Sequence, residues 1–70
     1  MKDFVLENTL RVERARLQMT QADLAGRVSV SRQAIIAIEN GKYVPSTILA
    51  MRLAAVFGKK IDDVFTLKEV

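Results

Sequence analysis

The sequence predicts an all-α fold, a compact bundle of five short helices with no strand. Only three glycines and one proline occur among the 70 residues, so long segments lack the residues that punctuate turns. Within those segments apolar residues recur at intervals of three and four, the spacing of an amphipathic helix. A chain of this length buries one thin core, so we expect a single domain over residues 1–70.

Two short segments predict the first pair of helices. Helix 1 is expected over about residues 7–17, where leucines fall at helical spacings with charges between them. Thr20 and Asp23 then approximate a capping box, in which each side chain binds the other residue's backbone N–H. We therefore place helix 2 over about residues 21–28.

Helix 3 has a clear start and a clear stop. Ser31 is a favourable N-cap residue, and Asn40 and Gly41 both tolerate the left-handed conformation that ends helices. Helix 3 is therefore expected to run from about Ser31 to residue 39 or 40.

The last two helices follow the loop "KYVPS". Ser46 or a neighbour caps helix 4, "STILAMRLAAVF", which ends at Gly58 and carries a wide apolar stripe typical of a central packing helix. Helix 5 is expected over about residues 61–65, and "TLKEV" is read as a tail. Asp62 and Asp63 are interpreted as partners of the helix dipole in the first turn of helix 5, and Lys59 and Lys60 as a solvated corner.

Composition narrows the classes of function. Histidine and cysteine are absent, which excludes a disulfide, a Cys/His zinc site and an imidazole base. There is no glycine-rich phosphate cradle and no room for a cleft, so we expect no enzyme activity, no cofactor, no metal and no small-molecule ligand. Neither a signal peptide nor an apolar run of about 20 residues is present, and we expect a cytoplasmic protein without a membrane partner.

The charge distribution favours a polyanionic partner. The net charge is +3, and between residues 8 and 42 six arginine or lysine residues stand against three acidic residues. A basic first half beside a mixed second half is typical of a surface that faces nucleic acid.

Residues 21–38 carry the strongest functional signal. Two helices of about eight residues are joined by a turn of about three, the spacing of a helix-turn-helix. Ala25 is small enough to let helix 2 approach Ile35 on helix 3, and Val30 can plug the turn from beneath. With Ile35 and Ile38 directed inward, the opposite face of helix 3 is left to contact a partner.

That opposite face suits the major groove of DNA. Arg32 can bridge guanine O6 and N7, Gln33 can bridge adenine N6 and N7, and Ile36 can contact a thymine methyl. Ala37 lies on the same side of the helix. We therefore predict that Arg32, Gln33, Ile36 and Ala37 read bases.

The motifs "TQADLA", "VSRQAI", "IENGKYVPS" and "LAAVFGKKIDDVF" occur in an order and spacing that resemble the Cro/repressor-type, or xenobiotic response element (XRE), helix-turn-helix family of transcriptional regulators. The resemblance covers about residues 8–65, with the helix-turn-helix at about 20–40 and the last helix and tail at 61–70. It implies a compact five-helix, lambda-repressor-like domain that binds double-stranded DNA, usually as a homodimer at a pseudo-palindromic operator.

The same resemblance implies individual roles. Residues that match phosphate-binding positions lie at the starts of helices 2 and 3 and after helix 3; they are Gln21, Ser31, Asn40, Gly41 and Lys42. Arg14 and Glu39 match an internal ion pair. Two residues depart from the family pattern: Ser29 stands where the turn usually has a glycine with positive φ, and Ala37 where some relatives have a longer base-reading side chain.

Simpler explanations stay open for several of these residues. Arg32 can be an ordinary solvated arginine, and Ile36 can mark a protein interface instead of a base contact. Arg14 and Glu39 can form a surface pair that contributes less than about 1 kcal/mol.

Two functions of different classes are compatible with the sequence. The first is a small DNA-binding transcriptional regulator, most simply a repressor, with a dimer interface formed by Val64, Phe65 and Leu67 and the end of helix 4. The alternative is a protein-interaction module, such as the antitoxin of a toxin-antitoxin pair, for which DNA binding is secondary. Spare apolar surface supports the alternative; it is supplied by Ile48, Met51, Ala55, Val56, Phe65 and Leu67.

Overall fold

The computed structural model describes residues 3–70, which form five helices and one two-stranded antiparallel sheet. Their order along the chain is β1 (Phe4–Asn8), α1 (Leu10–Arg16), α2 (Gln21–Val28), α3 (Arg32–Glu39), α4 (Thr47–Val56), α5 (Ile61–Val64) and β2 (Phe65–Glu69). The extents of 38 × 22 × 20 Å give the molecule one long axis.

The five predicted helices are present, and side-chain caps explain where three of them begin. At α2, the N–H of Asp23 donates to Thr20 Oγ1 (2.9 Å) and the N–H of Thr20 donates to Asp23 Oδ2 (3.0 Å), which completes the predicted capping box. Ser31 caps α3 and Ser46 caps α4, each with its hydroxyl oxygen accepting a backbone N–H at 3.1 Å. These caps satisfy amides that have no partner within the helix.

The prediction of a strictly all-α fold is wrong, because both ends of the chain form strands. β1 pairs with β2 in an antiparallel register that sets Leu6 opposite Leu67 and Asn8 opposite Phe65. Helix α1 consequently begins at Leu10 and not at residue 7, and the predicted tail is β2. Leu6, whose spacing to Leu10 suggested a helix, lies instead in β1. The partner of this strand, β2, is near the other end of the chain.

The core lies between the helices and the start of β2. Its largest fully buried side chains are Leu10, Leu24, Ile35, Ile38, Leu53, Val28 and Val64. Val64 is 1% exposed and Phe65 is 7% exposed, so these two residues of the predicted dimer interface are core residues, whereas Leu67 is 70% exposed. Their burial ties α5 and β2 to the helical bundle.

One buried carboxylate joins two distant parts of the chain. Glu13 on α1 is buried, and it accepts hydrogen bonds from Arg16 and from Lys59 Nζ (2.8 Å). Lys59 and Arg16 together hold the pKa of Glu13 below its ordinary value. Lys59 and Lys60 are exposed, as predicted for a solvated corner, but Lys59 is also a partner of Glu13. Asp62 and Asp63 lie in the first turn of α5 as predicted.

Within residues 3–70, no helix has both the length and the apolar character needed to cross a bilayer.

Candidate nucleic-acid interface

Packing between α2 and α3 sets the orientation of α3. Ala25 on α2 is 3% exposed, and on α3 Ile35 and Ile38 are 0% and 2% exposed. Val30, in the turn, is half-buried and packs against the same core. The predicted inward direction of Ile35 and Ile38 is confirmed, and the opposite face of α3 is left toward solvent.

The turn between α2 and α3 contains a residue in the left-handed region. Ser29 has φ 58° and ψ 43°, and its backbone N–H donates to the carbonyl of Ala25. The next N–H, that of Val30, donates to the same carbonyl at 3.1 Å. A side chain at positive φ is strained, so Ser29 adopts the conformation expected of the family's glycine at some energetic cost.

Replacing Ser29 with glycine is expected to raise the free energy of unfolding by about 0.5–1 kcal/mol. Relief of the left-handed strain contributes about 1–2 kcal/mol, and the added freedom of glycine in the unfolded chain subtracts about 0.5–1 kcal/mol. Urea denaturation followed by circular dichroism measures the change. Ala22→Gly, at an exposed position in the first turn of α2, is the matched control and should destabilise by about 0.5–1 kcal/mol; a loss of stability in both variants would contradict the strain at Ser29.

The predicted base-reading residues share one side of α3 but differ in exposure. Arg32 and Gln33, in the first turn, are exposed, whereas Ile36 and Ala37 are half-buried. At about 100° per residue, Gln33, Ile36 and Ala37 lie roughly opposite Ile35 and Ile38, and Arg32 lies on the flank, about 90° from their mean direction. The first turn of α3 thus presents an exposed arginine and an exposed glutamine. The next turn presents a half-buried apolar surface formed by Ile36 and Ala37.

The predicted phosphate-binding loop follows α3 directly. The N–H of Lys42 donates to the carbonyl of Ala37 (2.8 Å) and the N–H of Gly41 donates to that of Ile38 (3.1 Å), which ends the helix in a tight turn. Gly41 has φ 74°, a conformation that favours glycine. Asn40, Gly41 and Lys42 are all exposed, so a backbone phosphate can reach them.

Ser31 and Gln21 take part in contacts within the protein. The hydroxyl oxygen of Ser31 accepts the N–H of Ala34 (3.1 Å), which leaves the hydroxyl proton for another acceptor. Gln21 Nε2 donates to Glu39 Oε1 (3.1 Å). Gln21 therefore connects the start of α2 to the end of α3.

Arg14 on α1 and Glu39 at the end of α3 form a bidentate ion pair. Arg14 Nε donates to Glu39 Oε2 (2.6 Å) and Nη2 donates to Oε1 (2.9 Å), while Nη1 donates to the carbonyl of Met19 (3.1 Å). The Glu39 side chain is 1% exposed and that of Arg14 is 14% exposed. This burial and geometry differ from those of a solvated surface pair.

The pair shifts the pKa of both partners. Burial raises the pKa of the Glu39 carboxyl. Hydrogen bonds from Arg14 and Gln21, together with the positive charges of Arg14 and Arg11, lower it by more. The pKa of Glu39 therefore lies below its ordinary value. The hydrogen bond to Glu39 raises the pKa of Arg14. Both groups are therefore charged at neutral pH, and α1, α2 and α3 are held together by one network.

Two residues at this surface, Asn8 and Arg11, were not predicted from the sequence. Asn8 Nδ2 donates to the carbonyl of Ile38 (3.1 Å), and Asn8 Oδ1 accepts the N–H of Leu10 (3.1 Å), so one side chain joins β1, α1 and the end of α3. An asparagine just before an apolar helix is a recognisable start signal, but its second bond is long-range. Arg11 lies three residues before Arg14, a spacing that places both on one helix face.

Comparisons with known proteins agree with this arrangement. A family model described as helix-turn-helix matches residues 10–64. An uncharacterized HTH-type transcriptional regulator of Methanocaldococcus jannaschii is 50% identical over 64 residues, covering 91% of this chain and 97% of that protein. The uncharacterized HTH-type transcriptional regulator YgzD of Bacillus subtilis is 42% identical over 64 residues, with the same coverage. The solved structure of apo-HppE matches 74% of this chain and 29% of its own, with a TM-score of 0.67 and 28% identity.

Proposed function

The chain belongs to the helix-turn-helix family of DNA-binding transcriptional regulators, and from this premise we propose that it is a cytoplasmic repressor that binds a pseudo-palindromic operator as a homodimer. Repression by occupying a promoter is the simplest mechanism, because the small domain leaves little surface for recruiting a polymerase.

The observation that carries the proposal is the exposure of Arg32 and Gln33 on a helix whose other side is anchored by Ile35 and Ile38. In helix-turn-helix proteins the first residues of the second helix contact base edges in the major groove. Arginine and glutamine are the side chains that pair in a bidentate way with guanine and adenine.

The flanks of α3 support the same orientation. Lys42 and Asn40 lie beyond its C-terminal end, and Ser31 and Gln21 lie near the starts of α3 and α2. In our proposal these groups, with Gly41, contact phosphates and set the register of the domain on the duplex, a task that carries no base information itself.

Dimerisation is proposed because one short helix reads too few bases for useful specificity. Because Val64 and Phe65 lie in the core, we place the dimer interface on the outer face of α4. There Ile48 is 73% exposed and Met51 is 56% exposed. Ala55 continues the stripe one turn later and is also exposed. Against a second copy, this stripe would bury apolar surface that a soluble monomer leaves in water.

Met51→Glu is expected to convert the dimer into a monomer, because it places a charge in the middle of an apolar contact. Sedimentation equilibrium at micromolar concentration measures the mass. Val12→Glu on α1, where the valine is 66% exposed, is the matched control and should leave the mass unchanged. A wild-type protein that sediments as a monomer with and without DNA would contradict the proposed dimer.

Selection of bound oligonucleotides from a random pool tests the function itself. We expect enrichment of a motif with two related half-sites centred about 34 Å apart, one turn of the duplex. Enrichment of no motif at all would refute sequence-specific binding.

The exposure of Ile48, Met51 and Leu67 also favours a second candidate function. In this alternative the chain is a protein-interaction module, such as an antitoxin whose main role is to bind its toxin. The two functions are separated by mutation in cells. If Arg32→Ala abolishes function while Leu67→Ser only weakens it, DNA reading is primary; the reverse ranking favours the interaction module.

A further inference from the structure

Arg11 is an exposed arginine beside the predicted phosphate-binding loop. Its Nη2 donates to Asn40 Oδ1 at 3.4 Å, and its Nε lies 3.9 Å from Glu39 Oε1. The Arg11 side chain is 70% exposed, whereas that of Arg14, on the same face of α1, is 14% exposed. Two arginines one turn apart thus contact the end of α3 in different ways.

The positive charge of Arg11 is not needed to neutralise Glu39, because Arg14 already does so. Glu39 is already neutralised by two short hydrogen bonds from Arg14 and receives a third from Gln21. The 3.9 Å approach of Arg11 is too long for a hydrogen bond. A guanidinium has five N–H donors, and most of those on Arg11 are open to solvent. The group of Arg11, Arg14 and Glu39 therefore carries a net charge of +1.

The weak contact from Arg11 also favours one orientation of the Asn40 amide. Because Asn40 Oδ1 accepts from Arg11, the NH₂ group on the other branch of the amide points away from the arginine. A carbonyl held by a cation and a free NH₂ group form an anion-binding arrangement beside the exposed Lys42.

We propose that Arg11 is a DNA-backbone ligand that binds a phosphate together with Asn40 and Lys42, and that in the free protein it rests against Asn40 and Glu39. The proposal rests on the DNA binding proposed above and adds α1 to the surfaces that contact the duplex. Because a phosphate carries a full charge in an exposed position, it competes well with the weak contact to Asn40.

The test compares Arg11→Gln with Arg27→Gln, which removes the same charge from the exposed last turn of α2. The probe is a fluorescein-labelled duplex of 30 base pairs and mixed sequence, titrated by fluorescence anisotropy at several KCl concentrations. Loss of one phosphate contact lowers the slope of log Kd against log [KCl] by about one. We expect this change in Arg11→Gln, with an affinity about tenfold weaker, and neither change in Arg27→Gln. Arg11→Lys should retain most of the slope.

The outcomes separate this proposal from the one on which it rests. A wild-type slope in Arg11→Gln, with DNA binding intact in the wild-type protein, overturns the role of Arg11 alone. Weaker binding with an unchanged slope and a lower urea midpoint also overturns it, because Arg11 would then act on the fold. A wild-type protein that does not bind the duplex at all overturns both proposals.

Discussion

Replacing Arg14 with methionine is expected to lower the free energy of unfolding by about 3–5 kcal/mol. The substitution leaves the Glu39 carboxylate, whose side chain is 1% exposed, with the hydrogen bond from the neutral Gln21 amide but without the two from Arg14. Removing one charged partner of a buried ion pair is destabilising by that amount. A domain of this size has only about 3–5 kcal/mol in total, so most of the folded population should be lost at room temperature. Urea denaturation followed by circular dichroism gives the measurement.

The double variant Arg14→Met with Glu39→Met is the control for this prediction. It removes both charges and leaves apolar side chains in their place, so it should be far more stable than Arg14→Met. If Arg14→Met alone loses less than about 1 kcal/mol, the pair has only the strength of a solvated one.

The same pair should make stability depend on pH. The pKa of Glu39 is lower in the folded protein than its ordinary value, so its contribution is fully present above the unfolded pKa of about 4.3 and is lost as pH falls through the folded pKa. The wild-type protein should therefore lose more stability than the double variant between pH 6 and pH 3. Parallel pH profiles would show that other carboxylates, such as Glu13, account for the acid sensitivity.

Replacing Arg32 with alanine is expected to weaken binding to the selected operator by about 1–3 kcal/mol and to relax the preference at one or two base pairs. Arg32 is exposed in the first turn of α3, where it can reach a base edge while Ile35 and Ile38 hold the helix in place. Affinities measured across a library of operator variants give both numbers.

Lys42→Ala is the contrasting variant. Lys42 lies in the loop after α3, where a phosphate contact affects every sequence alike, so binding should weaken uniformly across the library and the salt slope should fall by about one unit. If Arg32→Ala and Lys42→Ala give the same pattern across the library, the division between base-reading and phosphate-binding residues is wrong.

The helices were predictable because their signals are local. The capping box of Thr20 and Asp23 and the caps at Ser31 and Ser46 lie within three residues of the groups they bind. Gly41 supplies the positive φ that ends α3 within the same short segment. Each of these signals acts over one turn of helix, so reading the chain in order is sufficient to find it.

The strands and the true location of Val64 and Phe65 were not predictable in this way. β1 finds its partner only at the far end of the chain. Its apolar residues, Phe4, Val5 and Leu6, follow one another directly, and periodicity alone does not distinguish such a short run from the start of a helix. The same pairing draws Phe65 into the core, which removes it from the surface expected to dimerise.

The candidate site shows the same division. The direction of α3 follows from Ile35 and Ile38, which are neighbours in sequence, whereas Arg11 and Asn8 act through contacts with residues about 30 positions away. Resemblance to a family points to the residues that occupy its motif positions. It does not indicate side chains such as these, which support the motif from another element.

The β1–β2 ribbon has a consequence for the order in which the molecule assembles. Its strands join nearly the two most distant parts of the chain, so closing it entails the largest loop-closure entropy of any contact in the fold. The helices, which need only nearby partners, should form first, and the ribbon should be the last element to close and the first to open. Asn8, the last residue of β1, donates to the Ile38 carbonyl, so an opening that carries Asn8 away removes one of the contacts that hold the end of α3. Fluctuations of the terminal ribbon should therefore reach the helix that we propose contacts DNA.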